Sequence, residues 1–307
     1  MVVPYPKYPA GLTFEESARL RLESRQFILA RYDEGVPFYS KDIFRKAAEQ
    51  FELCLQGGKS EQEVSLVGLD GTPVRLLVEP GKDINEGREP SWPGYKVLRT
   101  KPRLEYRNLH QLTSDHRPSW SPDRAYLVFD IVQSTEIHDL AAGKVVDPWP
   151  MADVETVRQR LRHGRSHWDS TLLFGRARSI LAATGVLPSI NNVVALACGS
   201  ITRLVDDLDS RRSVSQHALV LAVRDFVENN EKGEGTVKCF AQDPIYVPMD
   251  KQVLGEVGIT VVDDPSAWLE VDEGSVVIAI APTIPVEEVL ADIARPVAII
   301  TLAPENL

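Results

Sequence analysis

The stretch Asn192-Val-Val-Ala-Leu-Ala-Cys-Gly-Ser200 decides how the second half of this 307-residue chain is read. It is a short apolar run closed by a glycine turn, which fits a strand buried on both faces and is too short for a core helix. Four more runs of this kind follow, at Val237–Ala241, Ile259–Val262, Val276–Ala281 and Val297–Leu302. Helix-compatible segments lie among them: one capped at Ser213 or Ser215 and running to about Val227, then Asp250–Val257 and Val286–Ile293. Within the first, His217-Ala-Leu-Val-Leu-Ala-Val223 is apolar nearly all round, the mark of a helix buried on more than one side.

Strands alternating with helices predict an α/β fold, a Rossmann-like parallel sheet with helices on both faces, preceded by an N-terminal helical and hairpin extension. Right-handed crossovers put the C-terminal ends of all five strands on one edge, where such sheets bind ligands. Five tips are expected to line a crevice there: Cys198-Gly199-Ser200, Gln242-Asp243-Pro244, Asp263-Asp264-Pro265, Pro282-Thr283 and Pro304-Glu305. Gly199 would let a ligand approach the backbone, and Asp243 stands where an acidic residue takes a ribose hydroxyl pair. Asp243, Tyr246 and Asp264 are the candidate acid–base groups should the crevice be catalytic.

A dinucleotide site needs a Gly-x-Gly-x-x-Gly turn running straight into a helix. Here one glycine is followed by Ile201–Arg212, with Asp206, Asp207 and Asp209 among them, so NAD and FAD are disfavoured. An S-adenosylmethionine-like nucleoside asks only for one close-approach glycine and an acidic residue after the second strand, and both are present. The methyltransferase fold also expects two further strands, for which the chain leaves no room after the fifth. The earlier run Ala125–Val132, read as a buried strand, is the candidate to fill an edge.

In the N-terminal half, Thr13 and Glu16 form a capping-box pattern opening a helix to about Tyr32, and Ser40 precedes a second from Asp42 to about Leu55. Glu63–Val67 and Val74–Val78 read as a hairpin across Asp70-Gly71. Pro80–Pro122, rich in Pro, Trp, Arg and Gly with no sustained period, is expected to be a long irregular connection. Helices are expected at Met151–His163 and Ser166–Ala183, ended by Gly185. The domain expectation is residues 1–120 for the helical and hairpin region with its linker, and residues 121–307 for the Rossmann-type domain.

The net charge of −10 is unevenly spread: residues 1–110 hold 17 Lys+Arg against 16 Asp+Glu, the remainder 17 against 28. An acidic surface repels a phosphate backbone, which argues against nucleic acid as a partner. No run of apolar residues approaches a membrane span, and the start has no secretory layout, so no membrane partner and a cytoplasmic or nuclear location are expected. Three scattered cysteines, Cys54, Cys198 and Cys239, make neither a disulfide framework nor a metal motif.

Other candidate chemistry carries a bland reading beside the sharp one. His163 and His167 have metal-ligand spacing, but Gly164-Arg165-Ser166 replaces the Glu of a zinc helix, and Gly164 is a potential helix break. No metal site is expected. Cys198 reads as a small buried residue before a reactive thiol, and Ser200 lacks a Gly-x-Ser-x-Gly elbow. The Asp206–Asp209 cluster reads as solvated, and Trp92, Trp120 and Trp149 as packing between lobes before a binding platform.

Several blocks together carry a family resemblance: Ala-Cys-Gly-Ser-Ile-Thr (197–202), Arg-Ser-Val-Ser-Gln-His-Ala-Leu (212–219), Ala-Gln-Asp-Pro-Ile-Tyr (241–246), Gly-Ile-Thr-Val-Val-Asp-Asp-Pro (258–265) and Pro-Thr-Ile-Pro-Val (282–286). In order and spacing they resemble the sensitivity-to-red-light-reduced (SRR-like) family, its fungal branch above all, over roughly residues 160–303. The resemblance implies a regulatory protein, linked to light signalling and the clock in plants and to haem metabolism and the cytoskeleton elsewhere, without an assigned chemical activity. Ala197-Cys198-Gly199 stands where that family usually has Gly-x-Gly, and Ala281-Pro282-Thr283 where a Pro-His-Cys-like block is common. The expected ligand-binding set is Cys198, Gly199, Ser200, Gln216, Asp243, Pro244, Asp264, Pro282 and Thr283. Two functions are expected from it: a regulatory protein sensing a small molecule and contacting other proteins, or an enzyme of specialised metabolism, methyltransferase-like, acting on a small organic substrate.

Overall fold

The computed structural model describes residues 12–57, 61–86, 93–114, 121–204, 207–230 and 236–301. The chain divides into two compact units, one of residues 1–91, 97–135 and 287–293, the other of residues 92–96, 136–286 and 294–307.

The first unit opens with helices α1 (Phe14–Asp33) and α2 (Lys41–Gln56). The capping box before α1 is formed: Glu16 N donates to Thr13 Oγ1 at 3.2 Å and Thr13 N to Glu16 Oε2 at 2.8 Å. Helix α2 buries Phe44, Ala47, Phe51 and Cys54, a stripe at helical spacing, and packs on strand β1 (Gln62–Val67). β1 pairs antiparallel with β2 (Pro73–Val78), and their buried residues alternate as a half-buried hairpin requires.

The segment expected to be irregular, Pro80–Pro122, instead contains the twelve-residue strand β3 (Tyr95–Tyr106) and the short helix α3 (Leu109–Thr113). β3 buries alternate residues Pro102, Leu104 and Tyr106. Its proline hid it, since proline lacks a ladder N–H; it is tolerated because β3 is an edge strand in the order β3-β4-β5. β4 runs Phe129–Asp139, later than the expected Ala125–Val132, and pairs antiparallel with β5 (Lys144–Val146).

The core of the first unit is aromatic. Phe129 lies 5.5 Å from Tyr39, 5.4 Å from Phe44 and 5.5 Å from Tyr106, ring centre to ring centre. Beside it the buried Arg107 reaches Asp130 Oδ2 at 2.7 Å.

The second unit begins with α4 (Val154–Ser170) and α5 (Leu172–Ala183). Gly164 does not break α4. A Cβ there would stand 2.9 Å from that of Ala218, so the missing side chain allows α4 to lie against α6 (Asp207–Asn230). α6 starts ahead of Ser213 and Ser215, which lie inside it, Ser213 buried. The strands are β6 (Asn192–Leu196), β7 (Lys238–Gln242), β8 (Ile259–Val261), β9 (Ser275–Ile278) and β10 (Ala298–Ile300). Helices α7 (Pro248–Glu256), α8 (Ala267–Glu270) and α9 (Val286–Ile293) lie between the later strands, α9 grouping with the first unit from Glu287 on.

All pairs in this sheet are parallel, in the order β10-β9-β6-β7-β8. The chain therefore builds outward from β6 in one direction, then returns and builds outward in the other. Every residue of β6 and β9 is buried, as expected for strands covered on both faces. α6 packs on β6 and β7, α8 on the same two strands, and α7 on β8.

Candidate functional site

Because the sheet is parallel, the C-terminal ends of the strands share one edge, and the order reverses between β6 and β9. The register pairs Ala195 with Ile278, so the ends of these two strands leave the sheet side by side. Among the described residues, the non-glycine residues with positive φ are Ala197 (φ 54°) and Ala281 (φ 51°). One follows β6 and the other β9. A left-handed alanine costs roughly 1–2 kcal/mol because its Cβ crowds the next carbonyl, and such strain collects where a site demands a shape the chain would not choose.

The tip after β6 is bound tightly to its neighbours. Gly199 N donates to Asp243 Oδ2 at 2.8 Å, and Ile245 N to Asp243 Oδ1 at 3.1 Å, so this carboxylate ties β6 to the turn after β7. Gly199 has φ 76°, and a Cβ on it would stand 2.3 Å from Ser213 Oγ. The close approach expected to serve a ligand is thus used by helix α6. Further along the edge, the buried Gln242 bridges β7 and the segment after β8: its Nε2 donates to Asp264 Oδ1 at 2.8 Å and its Oε1 accepts from Ala267 N at 2.8 Å. Lys251 pairs with Asp263 at 3.0 Å. Pro244 and Thr283 are exposed, Pro282 half-buried.

Behind the β6 tip lies Asp250, in the first turn of α7 and fully buried. Its Oδ1 accepts from Ser200 Oγ at 3.0 Å, Ile201 N at 3.0 Å, Thr202 N at 3.0 Å and Thr202 Oγ1 at 2.8 Å; its Oδ2 accepts from Val247 N at 2.9 Å. Ser200 Oγ accepts from Arg203 N at 3.0 Å, while Leu204 N donates to Pro150 O at 2.8 Å. The strap before α4 completes the loop's cover, with Ala152 N donating to Thr202 O at 2.8 Å and Arg203 Nε to Asp147 Oδ2 at 2.8 Å.

His217 of α6, fully buried, joins this edge to Tyr246. Its Nδ1 lies 2.6 Å from Ser213 O, a group that only accepts, so Nδ1 carries the proton and Nε2 accepts from Tyr246 Oη at 2.6 Å. Burial holds His217 below the ordinary histidine range and keeps the ring neutral. The same desolvation, with Cys198, Asp243 and Asp250 nearby, pushes the Tyr246 phenol well up. Burial also raises all three thiols, that of Cys239 to about 12.

The expected site residues therefore fall into three sets. Gly199, Asp243, Pro244, Asp264, Pro282 and Thr283 sit on the edge itself. Cys198 and Ser200 are buried beneath it, where Ser200 holds the loop through Asp250 and Cys198 fills space. Gln216 on α6 keeps a buried amide oxygen with no hydrogen-bond partner. Asp250 and His217, fully buried polar side chains that organise the edge, were outside the expected set. The capping aspartate three residues into the Val247–Asp250 turn was the available signal for the first. His163 and His167 are exposed, and among the described residues no group of His, Cys, Asp and Glu is arranged to hold a metal. Asp206, Trp92, Trp120, Pro304 and Glu305 lie outside the described residues, as do the side chains of Asp207 and Asp209. Trp149 is 43 % exposed. A separate cavity of about 560 Å³ lies among α4, α5 and the end of α6, lined by Arg165, Asp169, Arg178, Asp225 and Phe226, without any strand-tip residue.

Residues 176–301 match the family model of the SRR1 domain, and that stretch contains the five-stranded sheet and its edge. The chain thus carries an SRR-like domain over less than half its length. No curated protein matches it. No helix among the described residues is long and apolar enough to cross a membrane.

Proposed function

We propose that the SRR-like domain is a Rossmann-like regulatory module that senses a small molecule held in a crevice between the tips of β6 and β9. The observation that carries this reading is the matched pair of left-handed alanines, Ala197 and Ala281, at the ends of the two strands where the order reverses. Ligands of doubly wound sheets bind at that reversal, and two strained residues at one such place indicate a shape kept for binding. Asp243, Pro282 and Thr283 would face the ligand, Pro244 and Asp264 would flank it, and Cys198, Gly199, Ser200 and Gln216 would shape the crevice from behind. A phosphate-free nucleoside of the S-adenosylmethionine kind suits this set. NAD and FAD do not, because the amides of Gly199 and of Ile201 through Leu204 are already bonded within the protein. The acidic surface disfavours nucleic acid, a protein partner would read the liganded state, and a cytoplasmic or nuclear setting accords with a regulatory role.

A second reading rests on the Tyr246–His217 hydrogen bond. A phenol tied to a neutral imidazole at a crevice is an acid–base group, and an enzyme of specialised metabolism, methyltransferase-like, would use it on a small organic substrate.

Native mass spectrometry of the protein from its own host, with thermal shifts for adenosine and S-adenosylmethionine, tests the proposal. A co-purifying small molecule or a raised midpoint is expected, with Thr283→Arg weakening binding at least about tenfold. A protein that emerges empty, with a midpoint unmoved by either nucleoside, would sink the reading; turnover of a methyl donor would favour the second.

A further inference from the structure

In doubly wound sheets the loop after the first strand holds a ligand's phosphate, using backbone N–H groups near the start of the following helix. Here that loop joins β6 to α6, and its donors point at something already. Ser200 Oγ, Ile201 N, Thr202 N and Thr202 Oγ1 converge on one oxygen of Asp250, at 3.0, 3.0, 3.0 and 2.8 Å. Val247 N holds the other at 2.9 Å. The carboxylate is fully buried, as is Thr202, and Ser200 is 5 % exposed. A carboxylate that accepts from two amides and two hydroxyls of one loop has the chemistry of a bound oxyanion, supplied by α7 rather than by solvent.

The geometry points to Asp250 as the domain's own anion, filling the seat that a ligand phosphate takes in related sheets and so restricting the crevice to phosphate-free ligands. This rests on the crevice being a ligand site, while Asp250's part in it can be read separately. Asp250 acts through the loop and touches no ligand, so it is a specificity-positioning residue. Two effects exclude a phosphoryl group. The loop's donors are spent, and the buried negative charge behind them repels a second anion brought to the same edge. The Asp243 carboxylate on Gly199 N adds to that repulsion. A neutral or cationic ligand rich in N–H and O–H donors meets no such opposition.

Thermal-shift measurements on the full chain test this with adenosine, adenosine 5′-monophosphate and inorganic pyrophosphate as probes. The wild type should be stabilised by adenosine and left unmoved by the other two. A midpoint raised by pyrophosphate, or raised as much by the monophosphate as by adenosine, would overturn the inference. Asp250→Ala should lower the midpoint by on the order of 10 °C. Formate, which returns a carboxylate to the vacated space, should restore part of that loss where equal chloride does not. Equal effects of the two salts would also overturn it. If Asp250→Ala does not fold, Asp250→Asn keeps one acceptor oxygen and removes the charge. Amide exchange at Ile201 and Thr202 should then quicken at least about tenfold, and wild-type exchange rates there would refute the role. Silence of the wild type toward adenosine counts against the crevice itself, and the formate and exchange measurements still decide what Asp250 does.

Discussion

In the N-terminal unit the buried charges come as a pair. Arg107 and Asp130 are 2.7 Å apart with side chains 8 % and 7 % exposed, set against an aromatic cluster. Arg124 adds a contact to Asp130 at 3.2 Å, and Tyr39 Oη donates to Arg107 O at 2.7 Å. Among the described residues of the C-terminal unit the buried charge is single. Asp250 has no cation among its hydrogen-bond partners and is balanced by neutral donors, in a core built of small aliphatic strands. The difference separates two purposes. An ion pair neutralises itself and can sit anywhere a core tolerates it. A lone carboxylate can stay buried only where a loop has been shaped around it, and this loop is the one at the candidate site.

The largest break in the comparison should come from splitting the pair. Asp130→Ala leaves Arg107 buried opposite an empty site, and burial already pulls the guanidinium's pKa down. A loss of about 3–5 kcal/mol is expected from urea unfolding, whereas Arg107→Met with Asp130→Leu should recover most of it. An additive double variant would mean the two charges do not act as a pair. A smaller effect belongs to His217. Its folded pKa lies below the ordinary 6.5, so protons bind the unfolded chain more readily. Stability contributed by the neutral ring is complete above about pH 6.5 and falls as the pH drops toward the folded value. His217→Gln should cost about 1 kcal/mol at neutral pH through the lost bond to Tyr246, and should remove this acid-sensitive component. A pH profile identical to wild type would refute the neutral assignment. The smallest effect should be a gain: Ala197→Gly relaxes a left-handed residue and is expected to add about 0.5–1 kcal/mol. If the glycine variant is less stable, the alanine methyl is packed and the strain argument for the crevice weakens.

Much of the second unit was legible in the sequence because each strand is an unbroken apolar run, buried on both faces. β6 through β10 fall within a few residues of the runs that predicted them. The first unit was harder. β3 alternates only over its last residues, from Pro102 to Tyr106, where Pro102 and the intervening Arg103 and Glu105 conceal the period, and its edge position makes the proline tolerable. At the site, Gly199 and Asp243 could be found from their place after strands, yet their partners could not. Gly199 is matched to Ser213 and Asp243 to the Gly199 amide, contacts across 14 and 44 residues that no local pattern contains. Asp250 looked like an ordinary helix-start aspartate for the same reason.

The three cysteines give each unit of the protein an internal witness. Cys54 belongs to the first unit, Cys198 and Cys239 to the second, and all are buried, where desolvation raises each thiol's pKa and the protein shields it from reagents. An alkylating reagent can therefore reach each one only when its own unit opens. Peptide mapping of the label would report the opening of the two halves separately, in one tube, without adding a dye or changing a residue.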